Sequence, residues 1–123
     1  MSDQTNSKVP NGKICYLQIP AINITESARF YSRVFGWNIR TRSDGTTAFD
    51  DVPNGVSGTW LLNREPQSNS GIRIYIMVDD VAETLKAIIA NGGKIVEPIS
   101  GTAPEFIATF SDLSGNVIGI GQE

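Results

Sequence analysis

A chain of 123 residues, 40% hydrophobic and 19% charged, is one domain's worth of sequence with enough apolar content for a buried core. Its net charge of -3 leaves no basic footprint for nucleic acid, and no apolar run approaches the length that crosses a bilayer. The absence of histidine removes the imidazole that nucleophilic triads use and that commonly holds zinc, nickel or iron, and a single cysteine allows no internal disulfide.

The polar start, MSDQTNSKVPNGK, reads as a flexible arm over residues 1–12 and lacks the apolar segment of a signal peptide, so a cytoplasmic protein is expected. In ICYLQIPA, Ile14 to Ala21, Cys15, Leu17 and Ile19 alternate with Tyr16 and Gln18. That is a strand with one oily face and one polar, aromatic face. On the oily face Cys15 reads as a small buried thiol. NITESARFYSRVFGW then predicts a helix: Asn23 caps it, Glu26 stands three positions on, and Ile24, Ala28, Tyr31 and Phe35 recur at helical spacing before Gly36. Short strands are expected over 37–42, 46–52 and 56–63. The polar NREPQSNSG, Asn63 to Gly71, reads as a linker.

The second half opens on a strand where Ile72, Ile74, Ile76 and Val78 share a face that should pack beneath a helix. Arg73, Tyr75 and Met77 share the other face. VDDVAETLKAIIANGGKIV predicts the second helix, capped by Asp80, with Glu83 three later and Gly92-Gly93 as its stop. Strands over 94–99, 106–111 and 116–121 follow; in the last, Ile118 and Ile120 point inward and leave Val117, Gly119 and Gly121 on the open side. The segment GTAPEF, Gly101 to Phe106, lies where a mobile flap could sit.

The halves repeat. A displacement of 57 positions carries Asn23 onto Asp80, Glu26 onto Glu83, Gly36 onto Gly93 and Tyr16 onto Arg73. Each half is strand, helix and three strands, so the organisation is one domain over 13–123 with module one 13–63, linker 64–71 and module two 72–123. One helix covers one side of a small sheet, and two copies can turn their bare sides toward a common cavity.

ICYLQIPA followed by ITESARFYSRVFGW, then VDDVAETLKAIIANGGKIV and FSDLSGNVIGI, resembles the vicinal oxygen chelate superfamily of glyoxalases, bleomycin-resistance proteins and extradiol dioxygenases, in its small glyoxalase-like branch. The likeness runs from about Lys13 to Gln122, with FYSRVFGW and FSDLSGN its most specific pieces. It implies an α+β fold of two tandem βαβββ modules forming a curved mixed sheet with a ligand cleft, and homodimers. It also implies metal ligands on the first and last strand of each module in the metal-using members. Those positions are here Tyr16, Arg73, Gly119 and, by the repeat displacement, Leu62. None offers a carboxylate or imidazole lone pair, so no metal or other cofactor is expected.

The expected ligand set is therefore Tyr16, Gln18, Trp60, Arg73, Tyr75, Met77 and Gly119. Arg73 reads either as a clamp for a ligand's oxyanion or as one half of an internal salt bridge, for instance to Glu97. Trp60 reads either as a stacking platform or as core, and Trp37 as core. Tyr16 and Arg73 are the weak candidates for catalysis. Asp50 and Asp51 read as a solvated strand end, Asp79 and Asp80 as helix capping, and Asp112 as a turn residue. The function expected is metal-independent binding of a small aromatic or anionic molecule, as in drug sequestration. The alternatives are a glyoxalase-like lyase, isomerase or hydrolase using Arg73 and a tyrosine, and a protein whose sheet serves only for dimerisation.

Overall fold

A computed structural model of the chain describes residues 9–123, so most of the expected N-terminal arm (1–12) lies outside the described residues. Module one runs β1 (Tyr16–Pro20), α1 (Ile24–Phe35), β2 (Asn38–Thr41), β3 (Thr47–Asp50) and β4 (Ser57–Leu61). Module two runs β5 (Tyr75–Met77), α2 (Val81–Ala90), β6 (Lys94–Thr102), β7 (Glu105–Ser111) and β8 (Val117–Gln122). The helix starts follow the sequence: the Glu26 N–H donates to the Asn23 side chain at 2.9 Å, and the Glu83 N–H to that of Asp80 at 3.0 Å. Gly36 ends α1 in the left-handed region, at φ 74°. In module two that role falls one residue early, to Gly92 at φ 98°.

The two expected βαβββ modules form two four-stranded mixed sheets, ordered β1-β4-β3-β2 and β5-β8-β7-β6, with the first and last strand of each module paired in parallel. One core serves both. Phe30, Tyr31, Phe49, Trp60, Ile88, Phe110 and Ile120 belong to a single buried cluster, and Phe30 and Phe35 of α1 lie 6.0 and 5.8 Å from Phe110 of the other module's β7. The helix-covered sides of both sheets thus look toward a shared interior. Their open faces look away from it.

The motif FSDLSGN fastens the modules. Buried Asp112 accepts the Tyr31 hydroxyl at 2.7 Å, the Ser114 and Asn116 N–H groups at 2.9 Å each, and the Asn116 amide at 2.9 Å. Asn116 also donates to the Pro20 carbonyl at 2.8 Å, and the Ile22 N–H donates to the Ser114 hydroxyl at 2.9 Å. Asp112 is the hub of the junction rather than a plain turn residue. The linker is tied down at the same place, through Gln67, whose N–H donates to Asn116 Oδ1 at 2.8 Å and whose carbonyl accepts the Val117 N–H at 2.8 Å.

Three readings meet the fold here. Ile72 is 82% exposed rather than beneath a helix, because β5 is ordered as a strand only from Tyr75. The segment 101–106 is the tip of a hairpin: β6 and β7 stay paired to Thr102↔Glu105, and only Ala103-Pro104 turn. Trp60 faces the core, 2% exposed, paired with Ile19 and 4.9 Å from the Phe49 ring.

Candidate functional site

Ladder parity assigns the open faces. In module one Gln18 pairs with Thr59, Thr59 with Ala48, and Ala48 with Arg40, while Tyr16 pairs with Ser57 and Ser57 with Asp50. In module two Tyr75 pairs with Gly119, Gly119 with Thr109, and Thr109 with Glu97. All these side chains alternate with core residues, so they stand on the uncovered side. Tyr16, Gln18, Tyr75, Met77 and Gly119 lie where sequence parity puts them, and Arg73 joins that face through its contacts. Trp60 does not belong there.

The ladders also correct the repeat alignment. Gln18 is to Thr59 as Tyr75 is to Gly119, so the counterpart of Gly119 is Thr59 and not Leu62, which lies past the end of β4. The displacement on the last strand is 60 rather than 57 because module two carries the longer β6–β7 hairpin.

Each open face is bridged by polar side chains from opposite sheet edges. The Arg42 guanidinium donates to the Tyr16 hydroxyl and lies 5.0 Å from its ring centre. Arg73 donates to Glu97 at 3.2 Å and also to Asn69, while Thr109 donates to Glu97 at 3.0 Å. The internal salt bridge named as one reading of Arg73 is the one the fold makes. Tyr16 lies on β1 and Arg42 just past the end of β2, three strand spacings away, roughly 14 Å in a flat sheet. Their contact requires both side chains to lean over the middle of the sheet, where Ala48, Ser57 and Thr59 are buried.

Arg40 grips Asp50 with two bonds, at 2.8 and 3.2 Å. That guanidinium, joined by hydrogen bonds from Ser57 and Asn38 and opposed by burial, lowers the Asp50 carboxyl to about 2. Asp50 is thus an engaged acceptor rather than a solvated strand end. On module two the floor is apolar. The Tyr75 ring lies flat on Gly119, where an added Cβ would come within 2.5 Å of it, and Met77 and Ile107 stand exposed beside it.

Sequence reading missed Arg40, Arg42 and Thr59. Arg40 and Arg42 share parity with Asn38, so the period-two rule that found Tyr16 and Gln18 would have found them too. Divalent metal does not fit this set. Tyr16, Thr59, Arg73 and Gly119 supply no carboxylate or imidazole, and among the described residues no three His, Cys, Asp or Glu side chains cluster as a metal site.

A cavity of about 890 Å³ between the modules reaches from the helix-covered side to Tyr75 and Met77 of module two's open face and is lined by neither Tyr16 nor Arg73. The modules pack helix side to helix side, and that turns their open faces apart.

A family model described as the Glyoxalase/Bleomycin resistance protein/Dioxygenase superfamily matches residues 13–120. A glyoxylase-like domain-containing protein of Didymella fabae is 32% identical over 121 residues, covering 88% of this chain and 91% of that protein. Among solved structures, a glyoxalase-related enzyme from Fulvimarina pelagi superposes with a TM-score of 0.73 at 17% identity, over 91% of this chain and 88% of that one. A glyoxalase/bleomycin resistance protein/dioxygenase family enzyme from Burkholderia phytofirmans PsJN superposes at 0.71 and 20% identity, over 87% and 95%. At these identities the superpositions establish the fold.

Proposed function

The chain belongs to the glyoxalase/bleomycin resistance protein/dioxygenase superfamily, and from that premise we propose that it binds a small aromatic or anionic molecule without a metal, in a cleft completed by a second copy of itself. The observation that carries this reading is the pair of uncovered, unlike faces. Module one offers a polar face rich in guanidinium, with Arg40, Arg42 and Gln18; module two offers an apolar one, with Tyr75, Met77, Ile107 and two glycines. Facing one against the other across a two-fold axis encloses an aromatic body on one side and an acidic group on the other. One cysteine and no disulfide accord with a cytoplasmic setting.

No observation favours the lyase reading. Arg73 is held by Glu97 and Asn69 and is not poised over an empty oxyanion position. Thermal-shift screening against aromatic carboxylates tests the proposal. Wild type should be stabilised by at least one of them, and both Arg42→Ala and Arg73→Ala should lose most of that shift. The first removes the cation over Tyr16, and the second frees Glu97 to repel an anion. No shift with any compound, or equal shifts in all three proteins, would contradict it.

A further inference from the structure

The cavity of about 890 Å³ meets module two's open face at Tyr75 and Met77 and otherwise has its own chemistry. One wall is module one's, with Leu17, Phe35 and Trp37; the other is module two's, with Ile76, Val78 and Ala87. Four carboxylates border it, those of Asp51, Asp79, Asp80 and Glu83, and no lysine or arginine lines it. Three of the four are occupied. Asp51 accepts the Val52 and Val56 N–H groups at 2.6 and 2.7 Å, Asp80 caps α2, and Glu83 pairs with Lys86 at 2.9 Å. Lys13, next in sequence to the lining residue Ile14, is held by the carbonyls of Ile14 and Gly55.

Exposed Asp79 has no hydrogen-bond or ion-pair partner among the described residues. The start of α2 carries about half a positive charge, which Asp80 and Glu83 already offset. What is left is an apolar groove, of the size that small-molecule sites have (roughly 300–1,000 Å³), with one uncommitted negative charge on its rim.

We propose that this groove is a second site, adjoining the cleft assigned above at Tyr75 and Met77, for a hydrophobic cation: an aromatic or branched apolar body carrying one protonated amine. The body replaces water against Phe35, Trp37, Ile76 and Val78, and the ammonium sits at the rim facing Asp79. An anion of the same shape meets four carboxylates and no compensating cation.

Calorimetry with 1-naphthylmethylammonium and its neutral isostere 1-naphthylmethanol tests this, with methyl chemical shifts reporting position. The ammonium should bind about three- to tenfold tighter than the alcohol, as one partly exposed charge pair allows. Asp79→Asn should erase that preference while leaving alcohol binding intact. Ala87→Phe, which fills the groove from α2, should weaken both, and Arg73→Ala neither. The Val34 and Ala87 methyl signals should shift and that of Ile107, on the open face, should not. Equal affinity for the two probes, a preference that survives Asp79→Asn, or shifts centred on Ile107 would overturn the proposal. So would probe affinity that falls as protein concentration rises, because the occupant would then be a second copy of the chain.

Discussion

Replacing Asp112 with alanine is expected to destabilise the domain by about 4 kcal/mol, read as a fall in the urea midpoint with an unchanged slope. Asp112 is 6% exposed, and its two oxygens accept four hydrogen bonds, from Tyr31, Ser114 and Asn116. Alanine leaves those donors buried without an acceptor, and each orphan costs about 1–3 kcal/mol before relaxation. The loss is not local, since the same turn holds Pro20 and Ile22 of module one through Asn116 and Ser114. Out of a total stability of about 5–15 kcal/mol, a change of that size brings the modules close to separating.

Tyr31→Phe should cost less, because it removes one donor and leaves the carboxylate three. It also gives a pH signature. Burial first, and then the neighbouring Asp112 charge, raise the Tyr31 hydroxyl well above its ordinary value. An unfolded chain's tyrosine ionises near 10, so above that pH the unfolded state binds fewer protons than the folded one and stability falls as pH rises. Tyr31→Phe should flatten that alkaline loss. An unchanged alkaline slope would mean that Tyr31 is not held as described.

Gly58→Ala is expected to cost about 3 kcal/mol by the same measurement, for a steric reason. A Cβ there would stand 2.2 Å from the Leu17 carbonyl oxygen and 2.6 Å from the Phe49 ring. Leu17 is the ladder partner of Gly58, and Phe49 is fully buried against Trp37 and Trp60. Neither neighbour can withdraw, so β1 must lift from β4, and Tyr16 and Gln18 move with it. Gly121→Ala serves as the comparison. Its Cβ meets nothing nearer than 3.6 Å, and a change below about 1 kcal/mol is expected. If the two alanines cost the same, close packing of β1 on β4 is not what Gly58 provides.

Local signals were legible and the assembly of modules was not. Asn23, Asp80 and Gly36 act where short-range rules put them, because capping and left-handed backbone are set within a few residues. Parity placed Tyr16, Gln18, Tyr75 and Met77 correctly for the same reason. Trp60, read either as a stacking platform or as core, was left open because its side of the sheet depends on the β1–β4 register. A constant displacement of 57 misjudged that register by three once the β6–β7 hairpin lengthened.

Asp112 was undervalued because its partner Tyr31 lies 81 residues away, and nothing in a turn motif announces a distant phenol. Whether two bare faces look at each other or apart is decided by which sides the modules bury. Both arrangements use the same amphipathic patterns.

The central claim is that the open faces bind their ligand through guanidinium and aromatic groups, with no metal between. Its most direct measurement is calorimetric titration of an aromatic carboxylate into the protein as purified and after exhaustive chelation, with metal content determined on both samples. The account predicts far less than one metal per chain and the same affinity before and after. A stoichiometric divalent metal whose removal abolishes binding, and whose return restores it, would contradict it.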